Sequence, residues 1–247
     1  MPTVIGVIPA RLGSKRLPDK ALLPLAGKPL LFYVWRAASR SARLDRLVIA
    51  TDSDRIEGAA KEFGAEVIRT SRRARNGTER AAEVARKVRG DIYVNIQGDN
   101  VRFPAGWIDR GVAALAGSRA ELFHTLAIPI ASDEELFNPN KVKAALIQER
   151  QGLAAGWFSR FPLPYVRDRD QRPACRQARF YKHLGFYFYR RDGLLQYARW
   201  TPGPHEKAES LEQLRILERG GRIGVTVVRG RCVTIDSPDD LAGGVAL

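Results

Sequence analysis

The chain has 247 residues, 45% of them apolar, enough to bury a full core in one α/β domain. Its formal net charge is +14, yet the 41 Lys and Arg residues are scattered through every segment, and no basic stretch alternates with aromatic residues, which argues against nucleic acid as a partner. No stretch approaches the roughly 20 uninterrupted apolar residues that span a bilayer, the amino-terminal basic residues follow the apolar run where a signal peptide has them before it, and Cys175 and Cys232 lack metal-site spacing; the expectation is a cytoplasmic protein with free thiols and no membrane partner.

Residues 3–10 (TVIGVIPA) read as a buried strand that runs into the polar loop 11–20. Residues 28–41 carry Leu31, Val34, Trp35 and Ala38 at helical spacing. Further strands are expected over 46–52, 65–70 and 91–99, with helices over 54–64, closed by Gly64, and over 78–88. This alternation predicts a parallel sheet with right-handed crossovers and a ligand site beyond the carboxyl ends of its strands. In the second half, residues 124–130, 141–147, 153–160 and 183–190 read as strands with fewer helices between them, so the sheet turns mixed. Helices over 191–200 and 206–219 follow, then a strand at 224–228. Asp236-Ser237-Pro238-Asp239-Asp240 suggests a strand end leading into a capped helix. The expected fold class is α/β, a mixed, mostly parallel Rossmann-like sheet with helices on both faces.

Two segments carry residues suited to chemistry. The loop 8–20 (IPARLGSKRLPDK) sets Arg11, Lys15, Arg16 and Lys20 just past a strand end, with Gly13 free of a side chain so that backbone can approach a phosphate. Such a loop is either a triphosphate cradle or a solvated basic loop. It has neither the P-loop nor the dinucleotide glycine pattern. In NIQGDN (95–100), Asp99 follows a strand end, where a carboxylate is placed to hold Mg²⁺ or to cap a helix, and Asp236 stands in the same situation. One Mg²⁺ commonly takes one or two carboxylates plus substrate phosphates, so the two aspartates form a metal site if the fold joins them.

Eight motifs in order, IPAR-x₄-RLPDK, NGTER-x₂-EV, NIQGD, FNPNKVK, WFSR, HLGFY, LEQLRIL and IDSPDDL, span residues 4–241 and together resemble the CMP-Kdo synthetases, the 3-deoxy-manno-octulosonate cytidylyltransferases. The resemblance implies a mixed nucleotide-binding sheet and a homodimer. It also implies Mg²⁺-dependent attack of the anomeric hydroxyl of a 2-keto-3-deoxy sugar acid, foremost Kdo, on the α-phosphorus of CTP. The products would be a CMP-sugar for lipopolysaccharide or a capsule-like glycan, and pyrophosphate. A displacement of that kind needs alignment and neutralisation of growing charge more than covalent help.

Carried across by position, the resemblance puts Arg11, Gly13, Ser14, Lys15, Arg16 and Lys20 on the triphosphate and Asn76, Gly77 and Thr78 on the cytosine edge. Gln97 would touch sugar or nucleotide, and Asp99 and Asp236 would hold Mg²⁺, completing a catalytic set with Arg16 and Lys20. Arg160, His183, Tyr187, Glu212 and Gln213 would enclose the sugar acid. It also implies one domain, with a nucleotide-binding half over about 1–118, a sugar-binding and dimerisation half over about 119–235, and a metal-binding segment over about 232–247. The chain departs from the family where QGDEP becomes Gln97-Gly98-Asp99-Asn100-Val101, in the basic stretch 160–179, and in GPHEKAES (203–210). These departures lie near the expected sugar pocket and keep open a different acid, such as an 8-amino-Kdo-like sugar. A non-catalytic basic protein that binds nucleotides or nucleic acid is the reading of another class; the presence of Asp99, Asp236, Arg16 and Lys20 argues against it.

Overall fold

The computed structural model describes residues 1–13, 17–118, 120–168, 170–236 and 240. In chain order the strands are β1 (Val4–Ala10), β2 (Pro24–Leu25), β3 (Lys28–Pro29), β4 (Arg46–Thr51), β5 (Glu66–Arg69), β6 (Ile92–Ile96), β7 (Asn100–Arg102), β8 (Phe123–Pro129), β9 (Lys143–Glu149), β10 (Gly152–Ser159), β11 (Tyr181–Arg190), β12 (Ile223–Val227) and β13 (Val233–Thr234). The α-helices are α1 (Leu30–Ala38), α2 (Asp54–Glu62), α3 (Gly77–Lys87), α4 (Gly106–Gly117), α5 (Asp133–Phe137), α6 (Arg191–Tyr197), α7 (Pro204–Glu209) and α8 (Leu214–Glu218).

Nine strands form one sheet in the order β5-β4-β1-β6-β11-β8-β12-β10-β9. From β5 to β6 all pairs are parallel; beyond β6 the antiparallel β11 enters and the sheet becomes mixed, as the strand-rich second half leads one to expect. β9 returns to pair with the start of β11, so the second-half strands curl back on themselves. Alternate side chains supply two cores. Val4 and Ile8 of β1 and Ile92, Val94 and Ile96 of β6 join one cluster, while Ile5, Val7 and Tyr93 join the other. With both faces covered, these strands must be apolar at successive positions, and that is why they read as continuous runs.

Several boundaries differ from expectation. The strand expected over 91–99 stops at Ile96, which frees Gln97 to Asp99 for a turn. The helix expected over 28–41 begins at Leu30 because residues 28–29 pair with 24–25 as β3 and β2, and the one expected over 191–200 ends at Tyr197. The helix expected over 206–219 is two helices: Ser210 adopts a left-handed conformation, φ 52°, ends α7 and sends residues 211–213 through a turn before α8. α4 was not anticipated, although Trp107, Ile108, Val112 and Leu115 repeat at helical spacing and are buried against the first core. Residues 237–239 and 241–247 of the expected carboxyl-terminal helix lie outside the described residues.

Candidate active site

β1 and β6 run in parallel and end at the same edge of the sheet, so Arg11 and the Gln97-Gly98-Asp99 turn emerge side by side. Phe186 of the antiparallel β11 pairs with Ile96, which carries the preceding His183-Leu184-Gly185 past the end of β6 on that same edge. Two glycines permit this crowding. A Cβ on Gly98 would stand 3.0 Å from the Pro9 carbonyl oxygen, and Gly185, at φ +72°, would bring one within 2.9 Å of Gln97 Cγ.

Over this edge lies a cavity of about 590 Å³, whose walls include Arg11, Asn76, Gly77, Gln97, Asp99, Arg160, His183, Tyr187, Glu212, Gln213 and Asp236. The expected Thr78 is not on the wall: it is fully buried, its hydroxyl against Tyr189 Oη at 2.7 Å and its N–H donating to Glu212 Oε2 at 3.0 Å. Gly13 is exposed, with open space where its side chain would be. Ser14, Lys15 and Arg16 lie outside the described residues. Seven Lys or Arg against four Asp or Glu line the cavity, so the described wall favours an anion. Arg75, Lys141, Lys182, Lys207 and Arg215 in that set escaped the sequence reading. Lys141 opens the segment 141–147 read as a strand, and Lys182 directly precedes HLGFY.

The two aspartates, remote in sequence, converge on one ammonium: Lys20 Nζ donates to Asp99 Oδ2 at 3.1 Å and to Asp236 Oδ1 at 2.8 Å. Thr234 of β13 pairs with Asn100 of β7, and the Ile235 N–H donates to the Asp99 carbonyl at 3.0 Å, which seats Asp236 beside the NIQGD turn. Asn100, where the sequence departs from QGDEP, holds this junction. Its amide donates to Leu184 O at 3.3 Å and its oxygen accepts from Thr234 Oγ1 at 3.1 Å. Burial pushes the Asp99 carboxyl above its usual range and the nearby Asp236 adds to the shift, against the pull of Lys20. Two hard oxygen donors gathered around one cation suit a small divalent ion, although no group of three or more His, Cys, Asp or Glu forms among the described residues.

His183 is neither an ion pair nor a simple core filler. Thr125 Oγ1 lies 2.8 Å from His183 Nε2 and 2.6 Å from the Phe186 carbonyl. The threonine proton goes to the carbonyl, so Nε2 must donate to the threonine oxygen, and Nδ1 keeps its lone pair as an acceptor. Burial lowers the ring's pKa to about 3, so it is neutral near pH 7. Because that value lies below the ordinary 6.5, the unfolded chain binds a proton that the folded one refuses. Stability from this ring is full above about pH 6.5 and falls as pH drops toward 3. His183→Gln is expected to flatten the decline of Tm over that interval, an effect of a few kcal/mol, as thermal melts at stepped pH will show.

The neighbouring polar groups interlock. Tyr187 Oη donates to Gln213 Oε1 at 3.0 Å, while Gln213 Nε2, on a residue only 2% exposed, has no hydrogen-bond partner among the described residues. Glu212 accepts from the Thr78 N–H and from Gln97 Nε2 at 3.3 Å, and burial raises its pKa in spite of them. Glu212 therefore braces the start of α3, and the buried Arg215 pairs with Glu206 and Glu79. Asn76 caps α3 by accepting the Glu79 N–H at 2.8 Å and donates to Tyr197 Oη at 3.0 Å. Arg160 is held by the carbonyls of Glu209 and Pro139, at 2.7 and 3.0 Å, with no side-chain carboxylate partner among the described residues.

The cytidylyltransferase family model matches residues 5–223. A 3-deoxy-manno-octulosonate cytidylyltransferase of Geobacter sulfurreducens is 40% identical over 243 residues, 96% of each chain. One from Syntrophobacter fumaroxidans is 42% identical over 241 residues, 96% of this chain and 94% of its own. The solved structure of a CMP:2-keto-3-deoxy-manno-octonic acid synthetase complexed with CTP superposes with a TM-score of 0.87 at 36% identity, over 98% of this chain and 96% of that one. With this sheet, this cavity edge and these relatives along nearly its whole length, the chain belongs to the cytidylyltransferase family, among the CMP-Kdo synthetases.

Proposed function

We propose that the protein transfers CMP from CTP to the anomeric hydroxyl of Kdo and releases pyrophosphate, with Mg²⁺ as cofactor. The observation that carries this reading is the meeting of Asp99 and Asp236 over Lys20 in a cationic cavity beyond the ends of β1 and β6. The family relation names the substrates: curated relatives act on 3-deoxy-manno-octulosonate, and a related structure holds CTP.

In this mechanism Arg11 and Lys20, with the basic loop residues Lys15 and Arg16, balance the triphosphate charge, and the open guanidinium of Arg160 takes the sugar carboxylate. Gln213 Nε2 donates to a sugar oxygen, and that contact satisfies an otherwise orphaned buried donor. His183 Nδ1 accepts from a sugar hydroxyl; with a pKa of about 3 it orients that group without serving as its base. Asp99 and Asp236 would hold the Mg²⁺, and a divalent ion there would lower the pKa of the attacking hydroxyl and offset the charge of the α-phosphate. We take the working unit to be a homodimer formed through residues 119–235. Exposed Ile147 and Phe161 are apolar surface in that half for such an interface to cover.

Pyrophosphate release from CTP, Mg²⁺ and Kdo tests the reaction. Release that depends on Kdo supports it; silence with Kdo and release with another 2-keto-3-deoxy acid transfers the same chemistry to that acid. No release with any acid overturns the proposal. Removing divalent ions with a chelator is expected to lower the rate by at least two orders of magnitude or so, and restored Mg²⁺ to recover it; a rate indifferent to the chelator removes the metal from the mechanism.

A further inference from the structure

A second cavity, of about 900 Å³, opens at the opposite edge of the sheet. α3 begins at the active site with Gly77 and ends at this cleft with Lys87, and Arg190 pairs with Ile92 at the start of β6. Six cations line it: Arg86, Lys87, Arg89, Arg190, Arg191 and Arg199, against two acids, Asp91 and Asp192.

None of the six makes an ion pair among the described residues. Arg190 is held by the carbonyls of Glu121, Leu115 and Ser118, Lys87 by that of Arg69, and Arg191 by that of Ala85. The acids are turned to backbone N–H groups, Asp91 to that of Thr3 at 2.7 Å and Asp192 to that of Gly193 at 2.9 Å. Elsewhere on this surface arginines do find carboxylates, as in Arg46–Glu66, Arg55–Asp19, Arg69–Asp54 and Arg172–Asp170. The carboxyl-terminal dipole of α3 accounts for Arg86 and Lys87, which lie in its last turn. Arg191 reaches the Ala85 carbonyl in that same turn and Arg190 caps the carboxyl end of α4 through Leu115 and Ser118, which leaves Arg89 and Arg199 without such an account. Like charges gathered in a concave cleft repel one another and focus a positive field, which a multivalent anion relieves.

We propose that this cleft is a binding site for a small polyphosphate, a di- or triphosphate chain either free or carried on a nucleoside, distinct from the active site. Guanidinium forks match phosphate oxygens two at a time. The remaining lining, Ala85, Gly90, Leu195 and Gln196, offers no aromatic ring for a base to stack on, so recognition falls on phosphate and single-stranded nucleic acid is disfavoured. The inference stands on the cleft's own charge and shape and does not depend on the reaction proposed above.

The experiment titrates inorganic tripolyphosphate calorimetrically into the full chain, into Arg89→Glu/Arg199→Glu, and into Arg40→Glu/Arg43→Glu, which makes the same charge change at exposed positions outside the cleft. The expected result is two equivalents bound by the parent chain and by the outlying variant. The cleft variant is expected to lose one equivalent, or to weaken it at least tenfold, while pyrophosphate release from CTP stays unchanged. Arg89→Gln/Arg199→Gln repeats the test with a milder change if charge reversal disturbs folding by circular dichroism. Equal binding by parent and cleft variants overturns the proposal, as does equal loss in the outlying variant. Cleft-dependent binding of an RNA oligonucleotide or of phosphatidylglycerol vesicles with no cleft-dependent binding of tripolyphosphate overturns it in favour of a macromolecular partner.

Discussion

Asp99→Asn is expected to lower the rate of pyrophosphate release by about two orders of magnitude with little loss of stability, and Asp236→Asn to do the same. Each substitution keeps the shape of the side chain and removes one of the two charges that meet at Lys20. The folded chain has every reason to tolerate the change: burial and the neighbouring acid already press Asp99 toward its neutral form, so an amide relieves that conflict. What is lost is half of the anionic seat proposed for Mg²⁺. Steady-state rates at stepped Mg²⁺ concentrations separate the two effects, since a weakened seat demands more metal for half-maximal rate while thermal melts stay near the parent's. A near-normal rate at the parent's Mg²⁺ requirement would remove that aspartate from the mechanism.

Arg215→Met is expected to cost about 3 to 5 kcal/mol of stability, the usual toll for stripping one partner from a buried ion pair, and to lower Tm by on the order of 10 °C. The guanidinium is 1% exposed and grips Glu206 with Nε and Nη2 at 2.7 and 2.5 Å and Glu79 with Nη1 at 3.0 Å. It also lies over the Tyr197 ring, 4.3 Å from its centroid. Methionine fills similar space but strands the Glu206 carboxylate largely out of water, while Glu79 keeps its pair with Arg75. Adding Glu206→Gln to Arg215→Met is expected to recover part of the loss in chemical denaturation, because the stranded charge is then gone. A cost below 1 kcal/mol in the single variant would show that water or nearby cations replace the arginine. Arg215→Lys is expected to rescue poorly, since an ammonium cannot serve three carboxylate oxygens in a fork.

Local pattern carried much of the fold. The strands of the first half are apolar at successive positions because both faces of the sheet are covered, and Gly64 marks the end of the helix before β5; the caps Ser53 and Asn76 came from the structure. α4 was readable in principle from Trp107, Ile108, Val112 and Leu115, whereas α5, at five residues, is too short to show a period. The break between α7 and α8 had no readable mark. Ser210 takes a left-handed conformation, and the turn that follows brings Glu212 to the Thr78 N–H across the cavity, a partner far away in the chain.

The sequence by itself determined the alternating α/β core, the basic loop after β1 and the acidic turn after β6, since apolar periodicity and turn residues act over a few neighbouring positions. It also carried, through its ordered motifs, the family to which the chain belongs. Only the tertiary structure decided that Asp99 and Asp236 share Lys20, that His183 donates through Nε2 and keeps Nδ1 as an acceptor, that Glu212 braces α3 while Arg215 turns to Glu206 and Glu79, and that six cations with no ion pair among the described residues meet at the far edge of the sheet. Each of these depends on pairing, burial and charge between segments that the chain brings together only by folding, and such contacts leave no local period to read.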